Sequence, residues 1–388
     1  MASQEFNRVL QTTIAEYMLG AEDNTIRNRK FLALLKAKGR LTFNHSGTEL
    51  NWGIRYKQRA LTGYADGDTI QFARSDNFKR ANLPWRGYTM NDMVTKKEKL
   101  MNRGKPALIK YVSELVENMM EDFTARFHQQ LYIDGGAAAN AKLLHGFDSF
   151  CSTIVAQGTQ AAGAGTVFVA TPNNTYASLS TNPGTYGGTW NSSWPSGWGD
   201  SEYDFWSPIL VDFEAGGWPE TTKTWPNTCH DALRYGIIKC KRNDSIKGMI
   251  DVVMLDQELY RQWLPVLDLK ERVIVQPGSG SDSGTGKGAR PTLRNLGFGD
   301  VQNFEGAEVT WEFNVPQATT AGKSGNTAQG YGFNMDEMEL CSLQDRLFVS
   351  EGPYYDEATL SDRFAIHMFG NMKFNPRYFV KWGSYTLS

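Results

Sequence analysis

KPALIKYVSELVENMMEDFTARFHQQLYIDG, Lys105 to Gly135, is the stretch that decides the fold class. Leu108, Val112, Leu115, Met119, Phe123, Phe127 and Leu131 recur at spacings of three and four, the repeat of one helix face. Pro106 suits a first helical turn and Asp134-Gly135-Gly136 ends the run, so the pattern predicts a helix from Pro106 to about Tyr132. At 1.5 Å per residue it is about 40 Å long, well above the globular mean, and reads as a structural spine. An ordinary buried core helix would carry the same stripe. His128 falls one residue past the stripe, where a satisfied structural histidine is expected.

Upstream the period becomes two. In GTELNWGIRYK, Leu50, Trp52, Ile54 and Tyr56 fall on one side and Arg55 and Lys57 on the other, which predicts a strand. A turn at Ala65-Asp66-Gly67-Asp68 is followed by Thr69 to Phe72, and a further strand-like run passes through Leu83, Trp85, Tyr88 and Met90. Residues 40–94 are therefore expected to form a long hairpin or small meander. Its many charges and few consecutive apolar residues predict that it projects and covers a neighbour instead of filling its own chain's core. Residues 1–39 read as an arm of two helices. The second opens after Asp23 or Asn24, carries Ile26, Phe31, Leu34 and Leu35, and stops at Gly39. Its other face holds Arg27, Arg29, Lys30, Lys36 and Lys38 and is expected to be solvated.

Downstream, Ser149 to Gly199 contains no Lys, Arg, Asp or Glu and reads as loops or short strands. Trp190, Trp194, Trp198, Trp206, Trp218 and Trp225, six of the eleven tryptophans, follow in quick succession. A helix is expected around Asp231 to Lys241 and a buried strand over Met249 to Leu255. Asp256 then caps a helix carrying Leu259, Tyr260, Trp263 and Leu264. Pro277 to Arg290 and Gln317 to Gln329 read as flexible loops. Strand-like runs occupy Ala307 to Val315, Met338 to Leu343, Phe364 to Phe369 and Tyr378 to Trp382. The order of helical arm, hairpin, long helix and mixed elements argues for an α+β fold.

Composition narrows the function. The 388 residues suggest two or three domains, and 40% hydrophobic with 21% charged residues excludes global disorder. With 40 Lys plus Arg against 42 Asp plus Glu, the net charge of -2 argues against a dedicated nucleic-acid reader. Four cysteines without CxxC spacing make no disulfide scaffold, and a reducing compartment is expected. The start MASQEFNRVLQTTIAEYMLG reads as an amphipathic helix and not a signal peptide. No window reaches the roughly 18–20 apolar residues of a membrane span, so a soluble chain with no membrane partner is expected.

Enzyme signatures fail on spacing. Gly286-Lys287-Gly288 and Gly322-Lys323-Ser324 are near-matches to a P-loop, but the required first glycine is Ser281 in one case and Gln317 in the other. There is no GxSxG. His45, His128, His145, His230 and His367 lack HExxH or His-x-His spacing, and Cys229-His230 with Cys240 is a poor zinc pattern. No catalytic residue, cofactor or metal is expected. The alternative from another class is carbohydrate binding or hydrolysis. Tryptophan rings stack on sugar faces, and Asp200, Glu202, Asp204, Asp212, Glu214 and Glu220 are the nearby acids.

The order of these pieces resembles the major capsid proteins of tailed bacteriophages, the coat fold named after phage Hong Kong 97. WGIRYKQRALTGYADGDTIQF is similar to that family's extended hairpin arm, and KPALIKYVSELVENMMEDFTARFHQQLYIDG to its spine helix with an Asp-Gly stop. GFDSF at Gly146 to Phe150 and TYASLS at Thr175 to Ser180 resemble the opening of its second domain. IDVVMLDQELYRQWLPVL resembles its axial-domain strand and helix, and GNMKFNPRYFVKWG its closing strand and turn. The Trp-rich region and the glycine loops depart from the familiar pattern. The resemblance implies an N-terminal arm at 1–39, an extended β-hairpin at 40–94 and a spine helix with peripheral domain at 95–150. It further implies an axial domain at 151–350 and a return to the peripheral domain at 351–388.

It implies a structural, non-enzymatic subunit that assembles with itself into hexamers and pentamers of an icosahedral shell around double-stranded DNA. The shell would be made in the host cytoplasm and end in the virion. Such a shell needs heterologous contacts, and Trp52, Ile54 and Tyr56 are the subunit-interface candidates. Arg27, Arg29 and Lys30 are the candidates for weak inner-face contact with packaged DNA. Portal, scaffolding or decoration proteins are further partners it allows. With only about 40 residues before the hairpin, a separate scaffolding protein or none is expected. No cross-linking trio of lysine, asparagine and acid can be assigned from spacing.

Overall fold

Apolar side chains sort onto two sheets in the computed structural model. It describes residues 29–43, 45–59, 61–69, 74–101, 105–151, 154–157, 169–189, 200–241, 248–270, 292–294, 296, 298–313, 315, 318–319, 326–327, 329–343 and 349–385. Helix α1 (Lys30–Ala37) is followed by β1 (Leu41–Thr42), β2 (Glu49–Arg55), β3 (Phe78–Pro84) and β4 (Arg86–Thr95). Helix α2 (Lys96–Met101) leads to the long α3 (Lys105–Gln130) and then to the short α4 (Asp148–Cys151). Next come β5 (Ile154–Gln157), β6 (Val169–Pro172), β7 (Thr175–Tyr176), β8 (Leu179–Ser180), β9 (Ile209–Asp212) and α5 (Trp225–Lys241). Then follow β10 (Val252–Leu255), α6 (Gln257–Lys270), β11 (Gln302–Phe304), β12 (Ala307–Trp311), β13 (Ala318–Thr319), β14 (Asn326–Thr327) and β15 (Gly330–Phe333). The chain ends with β16 (Met338–Ser342), β17 (Val349–Asp356), β18 (Ser361–Phe374) and β19 (Val380–Gly383).

The larger sheet has eight strands in the order β11-β12-β10-β15-β19-β9-β6-β5. Strands β10, β15, β19, β9 and β6 are buried on both faces, which is why Val252 to Leu255 reads as an unbroken apolar run. Val252 and Met254 face one core, while Val253 and Leu255 face the other beside Trp225, Leu233, Ile237 and Trp263 of α5 and α6. The five-stranded sheet is built around β18. Its C-terminal half pairs with β16, and its N-terminal half lies between β17 and β4. The chain crosses between the sheets once through α2, α3 and α4, from β4 to β5, and twice through short 3-10 turns, Met335–Glu337 and Pro376–Tyr378.

Helix α3 matches the predicted spine. Val116, Met119, Met120, Phe123 and Phe127 are buried, and Glu114, Glu117, Glu121 and Asp122 are exposed on the other side. Past its end the backbone doubles back, with the Phe147 amide donating to the Leu131 carbonyl (2.8 Å) and that of Gly146 to Ile133 (3.0 Å). A side chain at Gly146 would put its Cβ 2.3 Å from the Leu131 oxygen, so only glycine fits this crossing. The turn drives Phe147 into the centre of the molecule. Its ring lies 4.3 Å from Phe333, 5.0 Å from Phe374, 5.5 Å from Phe31 and 5.6 Å from Tyr132, centroid to centroid.

Several expectations need correction. The run through Tyr88 and Met90 is no part of the arm: β4 pairs with β18 from Arg86 to Thr95, so the hairpin proper is β2 with β3. Helix α5 starts at Trp225 and not near Asp231, and β10 starts at Val252 and not at Met249. The basic face expected on α1 is not solvated throughout. Phe31 to Leu35 are all buried, and Lys38 turns inward to Asp251 at 2.9 Å with a 5% exposed side chain. The first arm helix, the Pro277 to Arg290 loop and both P-loop near-matches lie outside the described residues.

Phe147→Ala should cost about 3–5 kcal/mol of stability, as removal of a large buried ring does. The comparable change at Phe78, 64% exposed, should leave the denaturant midpoint almost unmoved. Equal effects at the two sites would contradict this division between core and surface.

Candidate functional site

The hairpin is the part of the chain most clearly shaped to meet something else. Its register pairs Leu50 with Leu83, Trp52 with Ala81 and Ile54 with Lys79, which places those six side chains on one face. That face docks on the chain's own body. Trp52 lies 6.5 Å from Trp206 and Tyr56 lies 5.6 Å from Phe205, centroid to centroid, and Lys57 pairs with Glu202 at 3.3 Å. The Lys373 ammonium stands 5.6 Å above Trp52 and that of Lys79 4.9 Å from Tyr56.

Trp52, Ile54 and Tyr56 are the subunit-interface candidates of the sequence. All three are half-buried against their own core, because Phe205 and Trp206 supply an aromatic platform. The opposite face points outward with Asn51, Arg55, Phe78 and Arg80 exposed. At the tip Leu61 is fully exposed and Tyr64 is 72% exposed. The tip turn is as predicted: the Asp68 amide donates to Ala65, the Asp68 carboxylate accepts from the Ala65 amide, and Gly67 takes φ +95°. Where the two strands part toward the tip, a cleft of about 300 Å³ is lined by Arg55, Lys57, Asp204, Lys241 and Arg377.

The basic arm residues fare differently. Arg27 lies outside the described residues and Arg29 is half-buried. Lys30 is a correction, since its ammonium donates to Thr310 Oγ1 (2.8 Å) and the Trp311 carbonyl (3.0 Å) and sits 5.0 Å from the Trp311 ring. An ammonium held by a hydroxyl and a carbonyl inside the fold is less free to reach a phosphate.

Of the six clustered tryptophans, Trp190, Trp194 and Trp198 lie outside the described residues. The other three are core, and each indole N–H donates to a backbone carbonyl: Trp206 to Tyr176, Trp218 to Asp212 and Trp225 to Leu259. They offer no face to a sugar. Four of the six acids are engaged as well. Asp200 accepts from the Thr189 amide, Glu202 pairs with Lys57, Asp204 faces Arg377 at 3.9 Å and Asp212 accepts from the Glu214 amide.

Beside Lys30 lies a buried pair that sequence reasoning had no means to find, Glu312 with Oε1 3.4 Å from His128 Nε2. Burial pushes Glu312 up to about 7 against the pull of Lys30 and Arg29. Burial, helped by Arg29, pushes His128 down to about 3. The stability from Glu312 is complete below its unfolded value of 4.5 and is lost as pH rises toward 7. That from His128 is complete above its unfolded value of 6.5 and is lost as pH falls toward 3. Between those two unfolded values the folded and unfolded pairs each hold one proton, so the slopes cancel.

No protein-family model and no curated protein matches the chain. Its fold is nonetheless that of a phage capsid protein. The chain is similar to one in the capsid asymmetric unit of cyanophage A-1(L), with a TM-score of 0.51 at 14% identity over 89% of each chain. Two further capsids are similar at lower scores. The empty GTA particle gives 0.48 at 10% identity over 90% of this chain and 96% of that one. Myoviridae phage XM1 gives 0.47 at 8% over 90% and 91%.

Glu312→Gln removes one half of the buried pair and leaves His128. Relative to the unaltered protein, stability should then rise between pH 4.5 and 6.5, by up to roughly 1.4 kcal/mol per pH unit. Denaturant midpoints at stepped pH measure this, and an unchanged profile would refute the assignment.

Proposed function

We propose that the chain is the major capsid subunit of a tailed bacteriophage, building an icosahedral shell of Hong Kong 97-like type around double-stranded DNA. The observation that carries this is the shared fold over 89% of both chains with the cyanophage A-1(L) capsid. In that reading the β2–β3 hairpin is the extended arm and α3 the spine. The five-stranded sheet is the peripheral layer and the eight-stranded sheet the axial domain. The role is structural, and the principal partner is a second copy of the chain in rings of five and six. Portal, scaffolding or decoration proteins are further partners that this reading allows, with assembly in the host cytoplasm.

The hairpin supports the reading. Its inner face is taken up by its own body, which leaves Phe78, Leu61, Tyr64, Arg55 and Arg80 to meet a neighbour. The exposed stripe of Glu114, Glu117, Glu121 and Asp122 on α3 is a complementary charge for such a basic surface. Contact with packaged DNA is weak and non-specific, and falls to Arg27 and Arg29 since Lys30 is engaged elsewhere.

Purified protein should form rings, tubes or closed shells by negative-stain microscopy and light scattering; a strict monomer at every ionic strength would overturn the proposal. The double variant Leu61→Ser, Tyr64→Ser should keep the parental melting temperature, because both side chains are solvent-exposed, yet stay unassembled. Normal shells from it would remove the tip from the interface.

A further inference from the structure

Where the arm joins the five-stranded sheet, three side chains of metal-ligand type converge. A ring nitrogen of His45, a carboxylate oxygen of Glu339 and the Cys341 sulfur all lie within 4.8 Å of one another. The backbone brings them there. Strand β1 runs parallel to β16 with Thr42 beside Cys341, and the alternation of β16 puts Glu339 and Cys341 on one face. The His45 amide donates to the Ser342 carbonyl (3.1 Å), which folds the ring back over that face.

One hydroxyl serves the centre of this group. Thr42 Oγ1 is 3.0 Å from His45 Nε2, 3.4 Å from Cys341 Sγ and 3.4 Å from the Leu340 carbonyl oxygen, and Thr42 also bonds the Glu339 carboxylate. A hydroxyl carries a single proton, so Thr42 can donate to only one of these groups at a time. We infer that His45, Glu339 and Cys341 form a binding site for a divalent transition-metal ion of the zinc class, which clamps the arm strand to the sheet. Sulfur, imidazole and carboxylate together suit zinc better than calcium or magnesium, which prefer oxygen alone.

Zinc bonds of about 2.0–2.3 Å in a tetrahedron set ligand atoms about 3.5 Å apart, so the group has to close by roughly 1 Å. His45 is half-exposed on a loop and can make that adjustment. Water or the Thr42 hydroxyl supplies a fourth ligand. Lys373 is the competing cation: its ammonium is 3.1 Å from Glu339 Oε2, which leaves the second carboxylate oxygen for the metal. The Cys341 thiol, pushed up to about 11 by burial, releases its proton to solvent as the sulfur–metal bond forms.

Cobalt(II) titrated into the purified, unassembled full-length chain should give a thiolate-to-cobalt charge-transfer band and tetrahedral visible bands, saturating at one equivalent and displaced by zinc. Zinc should raise the melting temperature. His45→Ala, at a half-exposed position, and Cys341→Ser should abolish the charge-transfer band while keeping the metal-free circular dichroism. Glu339→Gln should weaken binding at least about tenfold, a loss reached even by outer-shell partners. Lys373→Met should tighten it. A wild-type chain without the band, or a band that survives Cys341→Ser and so belongs to another cysteine, would overturn the site. The readout is independent of shell formation, so it stands or falls apart from the capsid reading.

Discussion

The packing of Phe147 holds the structure together. One ring touches the arm helix through Phe31, the turn after α3 through Tyr132, the eight-stranded sheet through Phe333 and the central strand of the other sheet through Phe374. Each of those elements presents an apolar face that has to be covered, and they are covered by converging on one point. The backbone reversal after α3 sets that point, and Gly146 lets it pass against the Leu131 carbonyl. A helix of about 39 Å would otherwise project its stripe beyond any partner.

The same economy explains the hairpin. A two-stranded ribbon is marginal in water on its own, and this one is steadied by laying one face on Phe205 and Trp206. Its outer face and tip keep exposed aromatic and aliphatic groups that a solitary protein has little reason to retain. Docking on the parent body holds that exposed surface in one conformation.

Much of this was legible in the residues. The three-four stripe of α3, the alternation of β2 and the Asp66-Gly67 turn are local patterns whose physics acts over a few residues. What escaped depends on distant partners. The alternation through Tyr88 and Met90 is the same in an arm strand as in a body strand, and only β18, far along the chain, decides between them. Trp52, Ile54 and Tyr56 were rightly grouped on one face, yet which body covers that face rests with Phe205 and Trp206. Lys30 and Lys38 read as a basic surface, whereas their long stems carry the charge to Thr310 and Asp251. Tryptophan clustering tells nothing of exposure, and Trp206, Trp218 and Trp225 find carbonyl partners indoors.

The two short crossings between the sheets, Met335–Glu337 and Pro376–Tyr378, also act as a pair of pins. A single link would let one sheet swivel and slide over the other. The two turns lie side by side, with the Asn375 amide donating to the Glu337 carbonyl (3.1 Å), and with the longer connection through α2, α3 and α4 they oppose sliding and twisting of one sheet on the other. The rings around Phe147 set how stiff that joint is. A flexure at that joint would change the angle between the sheets without exchanging a strand.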